Sequence, residues 1–151
     1  MVLSIYFILT NITSHVIFVN DADHSKCNPL VIIVENGHST SYVKLQDAFI
    51  AENGDYYGSF AKIGYEMAST TNFTYGSSLS DETAKLAEAD AVWQATSLSA
   101  LNDCTKGSTW ELNIAPSTTG NGAAWTTNAL SVACDALTPR FGDLARGTAK
   151  K

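Results

Sequence analysis

The residue types that bind metal ions cluster near the start of this sequence, in a polar stretch. Asp21, Asp23, His24 and Cys27 place four candidate donors within seven residues. Carboxylate, imidazole and thiolate groups bind divalent metals when they are deprotonated and held in a fixed geometry. The spacing matches no established metal-binding motif, and a solvated linker explains the same residues. We therefore expect no metal ion here.

Two pairs of carboxylates have the chemistry for general acid–base catalysis on a glycosidic bond. Glu52 and Asp55 form one pair, and Asp81 and Glu82 form the other. Both pairs lie at predicted helix ends, where acidic side chains commonly cap the helix or keep it soluble. A secreted hydrolase that uses Glu52 and Asp55 is an alternative, but we expect no catalytic residues.

The histidines and the short motifs of enzyme families also argue against catalysis. His15, His24 and His38 all precede the predicted globular body, where no rigid scaffold would orient them beside a nucleophile and an acid. The sequence contains no nucleophile elbow, Walker A motif or dinucleotide-binding glycine pattern. We expect neither an enzyme nor a bound cofactor.

The composition indicates one folded domain and argues against nucleic acid as a partner. The chain has 151 residues, of which 45% are hydrophobic and 16% charged, as in a small globular unit with its own core. Nine basic and 15 acidic side chains give a net charge of −6. The cations are scattered and form no stripe that could replace the counterions of a phosphate backbone.

The three cysteines include no C-x-x-C pair, which excludes the common zinc and redox motifs. A bridge between Cys104 and Cys134 would close a loop of about 30 residues and contribute roughly 3–4 kcal/mol on the chain-entropy model. We predict this disulfide, with two buried free thiols as the alternative. Cys27 is then the one cysteine of the three that this pairing leaves over.

Two N-glycosylation sequons occur in the sequence, Asn11-Ile-Thr13 and Asn72-Phe-Thr74. The sequon is an asparagine followed two residues later by serine or threonine. Because three residues match often by chance, the pattern alone assigns no modification.

The first 19 residues are mostly apolar and carry no formal charge. They are interpreted as an export segment, a retained membrane anchor or core strands, since no basic residue precedes them and no clear cleavage site follows. We assign residues 1–25 to an apolar leader or export segment with its linker, and residues 26–151 to one globular domain. The β-branched run at residues 30–34 predicts a strand.

A helical pattern follows the apolar start and is about three turns long. Ser39 or Thr40 can cap it, its apolar face carries Tyr42, Leu45 and Phe49, and Asn53-Gly54 ends it. Gln46, Lys44, Asp47 and Glu52 are placed largely on other faces. We therefore predict a short amphipathic helix at residues 39–53.

The rest of the sequence predicts an antiparallel sheet. An aromatic loop at residues 55–65 precedes strands at residues 73–75, 91–96, 108–114 and 130–134, and a short helix opens at Ser80. In the third strand, Trp110, Leu112 and Ile114 share one face. One helix packed on a small antiparallel sheet is an α+β fold.

The order of these features resembles the type IV pilin and pseudopilin family. The resemblance covers residues 40–144. It starts with residues 43–58, which form a helix ending in an acidic, Asn-Gly and Tyr-rich turn, and continues with Lys62-Ile-Gly-Tyr65 and Phe73-Thr-Tyr75. Trp93-Gln-Ala95, the Cys104 turn, Ser108-Thr-Trp110 and the late Cys134 extend it. The resemblance implies a pilin-like globular head.

One departure from that family pattern is large. A pilin starts with a basic leader and a long apolar helix bearing a glutamate that guides assembly, and this sequence has neither; Glu35 follows only five apolar residues. In the split pilins of Geobacter-type bacteria, a short helical chain and a separate C-terminal chain, geopilin domain 2, together make one subunit. This chain is similar to that second chain, a pilin head without the long N-terminal helix.

The resemblance implies a structural subunit of an extracellular or periplasmic filament, either a type IV pilus or a secretion pseudopilus, exported through the inner membrane. Its partners would be a separate helical pilin chain and further copies of itself, with membrane contact only through that helix or the leader. A head without its helix would expose an apolar groove. The candidate groove residues are Tyr42, Leu45, Phe49, Phe60, Ile63 and Tyr65. A free-standing secreted binding module or adhesin, contacting its target through residues 117–122, is the alternative.

Overall fold

The computed structural model describes residues 29–80, 82–120, 122–129 and 132–149. The predicted leader, the candidate metal ligands Asp21, Asp23, His24 and Cys27, and the sequon at Asn11 lie outside these residues. The helices are α1 (Pro29–Asn53) and α2 (Val132–Asp135), and the strands are β1 (Tyr56–Gly58), β2 (Phe73–Gly76), β3 (Thr83–Lys85), β4 (Trp93–Ser97), β5 (Thr109–Pro116) and β6 (Ala123–Ala129).

The architecture is α+β, as predicted, with one helix packed on antiparallel sheets. Strands β1 and β3 form a two-stranded sheet, and the larger sheet has the order β2-β4-β5-β6. Strand β5 lies at its centre and pairs with β6 over seven residues, from Trp110 opposite Ala129 to Pro116 opposite Ala123. The core lies between α1 and the inner face of this sheet.

Helix α1 is longer than the sequence indicated. Residues 30–34 belong to it, so the predicted strand is wrong, and Ser39 and Thr40 are interior residues rather than caps. Proline tolerates the first helical turn because its missing N–H would have no partner there. The Ser41 hydroxyl donates to the Gly37 carbonyl at 2.9 Å, which satisfies a polar group that otherwise disfavours a helix interior.

The predicted end of α1 is confirmed. Gly54 has a φ of +70°, a conformation that glycine adopts without steric cost. Its N–H donates to the Ile50 carbonyl at 2.8 Å. This left-handed residue stops α1 and turns the chain into β1.

Strands β1 and β3 replace a predicted loop and a predicted helix. Tyr56 pairs opposite Lys85 and Gly58 opposite Thr83. The 3₁₀ turn that follows β3 buries Leu86, whose N–H donates to the Asp55 carbonyl at 2.7 Å. Backbone pairing with β1, which a local pattern cannot reveal, overrides the capping signal at Ser80.

Strands β2, β4 and β5 confirm three of the predicted strands within a few residues. Trp110, Leu112 and Ile114 are all buried, and the residues between them are half-buried. The predicted strand at residues 130–134 is wrong where the structure describes it, because Val132–Asp135 form α2, and β6 lies earlier in the chain; residues 130 and 131 lie outside the described residues. The Ala and Asn residues of β6 have weak strand propensity, and pairing with β5 determines their conformation.

The disulfide between Cys104 and Cys134 is present, with the two Cα atoms 4.9 Å apart. Both cysteines are buried, at 1% and 0% exposure. Helix α2 carries Cys134 to the turn that connects β4 with β5. The bond therefore ties the segment after β6 to the turn between β4 and β5, at the end of the sheet where β5 begins.

We expect that replacing both bridged cysteines with alanine lowers the free energy of unfolding by roughly 3–4 kcal/mol, because the unfolded chain loses a cross-link. Urea unfolding monitored by tryptophan fluorescence measures this change. Thiol counting supplies the control, since one of the three cysteines should react before reduction and all three after it. Equal midpoints for the wild-type and substituted chains would contradict the prediction.

Candidate functional site

The inner face of α1 is joined to the sheets by two buried polar side chains. Gln46 is fully buried, although the sequence placed it away from the apolar face. Its Nε2 donates to the Gly58 carbonyl at 2.9 Å, and its Oε1 accepts from the Gly58 N–H at 3.3 Å. The amide therefore pairs with β1 much as a neighbouring strand would.

Tyr42 makes the second polar link from α1. Its hydroxyl donates to the Val92 carbonyl at 2.9 Å and accepts from Gln46 Nε2 at 3.2 Å. Burial raises the pKa of Tyr42 far above its ordinary value, so the phenol stays protonated and remains a donor. Tyr42 and Gln46 thus fix the helix to both sheets.

Gly58 is required where α1 meets β1. A Cβ atom at this position would lie 3.0 Å from Ile63 Cγ2, 3.1 Å from Lys62 Cβ and 3.2 Å from Phe49 Cζ. Such distances are shorter than ordinary van der Waals contact. The absence of a side chain at Gly58 therefore lets the Gln46 amide reach the β1 backbone.

Aromatic rings fill the space around Tyr42. Its ring centroid lies 5.4 Å from Phe60, 5.3 Å from Tyr65 and 6.2 Å from Trp125, each in edge-to-face geometry. Phe60 and Tyr65 are 4.9 Å apart. Such pairs contribute about 0.5–1.5 kcal/mol each beyond the area they bury.

Most of the candidate groove residues lie inside the fold. Of the six candidates, Tyr42, Ile63 and Tyr65 are buried, Phe49 and Phe60 are half-buried, and Leu45 is 38% exposed. The cause is α1 itself, which lies on the sheet and covers the apolar face that we expected to be open. The candidates are brought together, but mostly as internal contacts of this chain.

A shallow groove of about 490 Å³ remains open beside this cluster. Phe60, Tyr65 and Met67 line it with Glu66, a charged residue. Tyr65 is held in place because its hydroxyl donates to the His38 carbonyl at 3.3 Å and accepts from Trp93 Nε1 at 3.1 Å. Two of the six predicted residues, Phe60 and Tyr65, therefore reach this groove.

A second anchor of α1 was not predicted from the sequence. The Asp47 carboxylate accepts from Trp125 Nε1 at 2.9 Å and forms an ion pair with Arg146. The Arg146 guanidinium also lies 5.8 Å from the centre of the Trp125 ring, a cation–π arrangement. Asp47 and Arg146, which are 99 positions apart in the sequence, are thereby in contact.

The Arg146 segment also covers the outer edge of β6. The Trp125 N–H donates to the Arg146 carbonyl at 2.7 Å, and the Arg146 N–H donates back to Trp125 at 3.0 Å. The Thr118 N–H donates to the Thr148 carbonyl at 2.7 Å. We call residues 145–149 the edge strap, since they pair with β6 and with the loop that precedes it.

The carboxylates considered for catalysis lie at the surface. Glu52 and Asp55 are exposed at the end of α1, and Glu82 is exposed just before β3; Asp81 lies outside the described residues. In the described part of the chain, no three metal-binding side chains form a group.

Among the described residues, no helix is long and apolar enough to cross a membrane. No protein-family model, curated protein or solved structure matches this chain.

We expect Gln46→Leu to lower the free energy of unfolding by roughly 1–3 kcal/mol, because both backbone groups of Gly58 lose a buried partner. Chemical unfolding measures the loss. Gln94→Leu is the matched control, since Gln94 is half-buried on the outer sheet face and donates to Glu111 at 2.7 Å. If the two variants lose equal stability, Gln46 has no special part in holding α1.

His38 predicts a pH dependence of stability. Burial lowers the pKa of His38 below its ordinary value of 6.5, so the folded chain binds its proton less readily than the unfolded chain. Stability is therefore full above about pH 6.5 and falls as the pH drops toward the folded pKa. Urea unfolding at about pH 7.5 and about pH 5.5 should show a smaller decrease for His38→Gln than for the wild type. Identical decreases would contradict this prediction.

Proposed function

We propose that this chain is a non-catalytic, pilin-like structural subunit of an extracellular or periplasmic filament, exported through the inner membrane. It would pair with a separate helical pilin chain, and the pairs would stack with further copies into a type IV pilus or a secretion pseudopilus. Membrane contact would come from the helical partner or from the leader.

The helix–sheet contact carries this proposal. A helix ending in the Gly54 turn lies on antiparallel sheets through Tyr42 and Gln46, and a disulfide joins the turn between β4 and β5 to α2. This order of elements agrees with what the resemblance to pilin heads implies. The buried contacts described above join the helix to the sheets.

We propose that the partner surface lies on the outside of α1. Ser41, Leu45, Ala48 and Glu52 recur at helical spacing and are exposed. Small residues let a second helix approach closely. Removing a leucine side chain from water on contact favours association. We place the helical partner along this face, which we call the outer stripe.

Burial of the exposed 38% of Leu45 by a partner helix would contribute up to about 1 kcal/mol, and an aspartate in the same contact would add the cost of burying a charge. We therefore expect Leu45→Asp to weaken co-elution of the full chain with a pilin-type helical chain from the same genome by roughly tenfold or more. Leu98→Asp is the matched control, because Leu98 is 39% exposed, against 38% for Leu45, and lies after β4, away from α1. Size-exclusion chromatography of co-expressed chains measures complex formation.

Two results would oppose the proposal. A full chain that is a stable monomer and ignores the helical chain would fit a free-standing secreted binding module better. Equal effects of the aspartate at positions 45 and 98 would remove the outer stripe as the contact surface.

A further inference from the structure

We propose that Asn72 is the acceptor of an N-linked glycan, an inference that rests on the location outside the cytoplasm in the proposed function. The sequence Asn72-Phe73-Thr74 places a hydroxyl two residues after the asparagine, as the modification requires. Since sequons occur by chance, the inference depends on where the fold places these three residues.

Asn72 lies in the surface bend that enters β2, and β2 is an edge strand of the four-stranded sheet. The N–H groups of Asn72 and Phe73 donate to Thr70 Oγ1 at 3.3 and 3.0 Å. The Thr70 N–H donates to the Phe73 carbonyl at 2.9 Å. A tight turn at the edge of a sheet is open to approach by a large enzyme.

The strand geometry places the two sequon groups on the same side. Phe73 is 2% exposed and points into the core, whereas Asn72 and Thr74 are half-exposed. The Leu98 N–H donates to the Asn72 carbonyl at 2.7 Å, so the ladder between β2 and β4 extends to Asn72. Because side chains alternate along a strand, Asn72 and Thr74 both face outward.

The Asn72 side chain is not committed to a structural role. It makes no hydrogen bond to any other described residue, whereas the Asn53 amide donates to the Phe49 carbonyl at 2.8 Å and the Asn113 amide oxygen accepts from the Ala91 N–H at 2.6 Å. The nitrogen of Asn72 is therefore available for reaction, and linking it to a sugar would break no internal contact.

The outer sheet face suits a bound sugar. Thr74 pairs opposite Thr96, which pairs opposite Thr109, so three hydroxyl-bearing side chains form a row beside Asn72. Leu98, opposite Asn72, is 39% exposed. A glycan on Asn72 would cover this apolar side chain and leave its own hydroxyls in water.

The donor would be an oligosaccharide carried on a polyprenyl phosphate. Nδ2 of Asn72 forms a bond to the anomeric carbon of the first sugar, and the bond from that carbon to the phosphate oxygen breaks. The lipid phosphate leaves with the bonding electron pair, and Nδ2 loses one proton. No group is oxidised or reduced.

The test is tandem mass spectrometry of the full chain isolated from outside its own cells. We expect a glycan on the peptide that contains Asn72, distinguished from the sequon at Asn11 by its peptide. Asn72→Gln and Thr74→Val should lose it, whereas Thr74→Ser should retain it because the hydroxyl remains. Thr96→Val, a matched change on the neighbouring strand, should also retain it.

The possible failures are distinguishable. A chain recovered outside the cell with an unmodified Asn72, or with the same glycan in Thr74→Val, overturns the inference and leaves the proposed function intact. A chain found only in the cytoplasm overturns the proposed location. In that case, incubation of the folded full chain with membranes containing an oligosaccharyltransferase and its lipid-linked donor decides whether Asn72 is an acceptor.

Discussion

The fold depends on satisfying one buried amide. Gln46 lies in the apolar contact between α1 and the sheets, where an unpaired polar group would cost about 1–3 kcal/mol. Its partners are the two backbone groups of Gly58 and the hydroxyl of Tyr42. Gly58 lies in β1, and Tyr42 lies one turn earlier in α1, where its hydroxyl also donates to the Val92 carbonyl. These bonds together fix the register of α1 on the sheets. The aromatic packing around Tyr42 then follows from that register.

The sequence predicted the parts of the fold that local patterns encode. Alternation in β5, the glycine that ends α1 and the disulfide between Cys104 and Cys134 are all present. Each of these rests on a period, a conformational requirement or a cysteine count. The α+β class follows from the same signals, since a helical period gives way to strand alternation along the chain.

The remaining features depend on contacts between distant residues. Gln46 and Asp47 are polar, so a helical pattern assigns them to solvent, yet Gly58 and Trp125 give them buried partners. The β-branched run before Ser39 favours a strand, but it continues α1. Most residues of the candidate groove lie close together, but no local signal indicated that α1 itself would cover them.

The contact between Arg146 of the edge strap and Asp47 of α1 can form only late in the synthesis of the chain. Asp47 can pair with Arg146 only after 99 further residues have been synthesised. The Trp125 ring, which packs against Tyr42, is also synthesised late. Gly58, Phe60 and Tyr65 follow α1 closely in the chain, but this second part of the surface that holds the helix is synthesised late. Until then, the side of α1 that packs on Trp125 lacks its native cover, and exposed apolar surface of this kind makes a partly folded chain prone to aggregation.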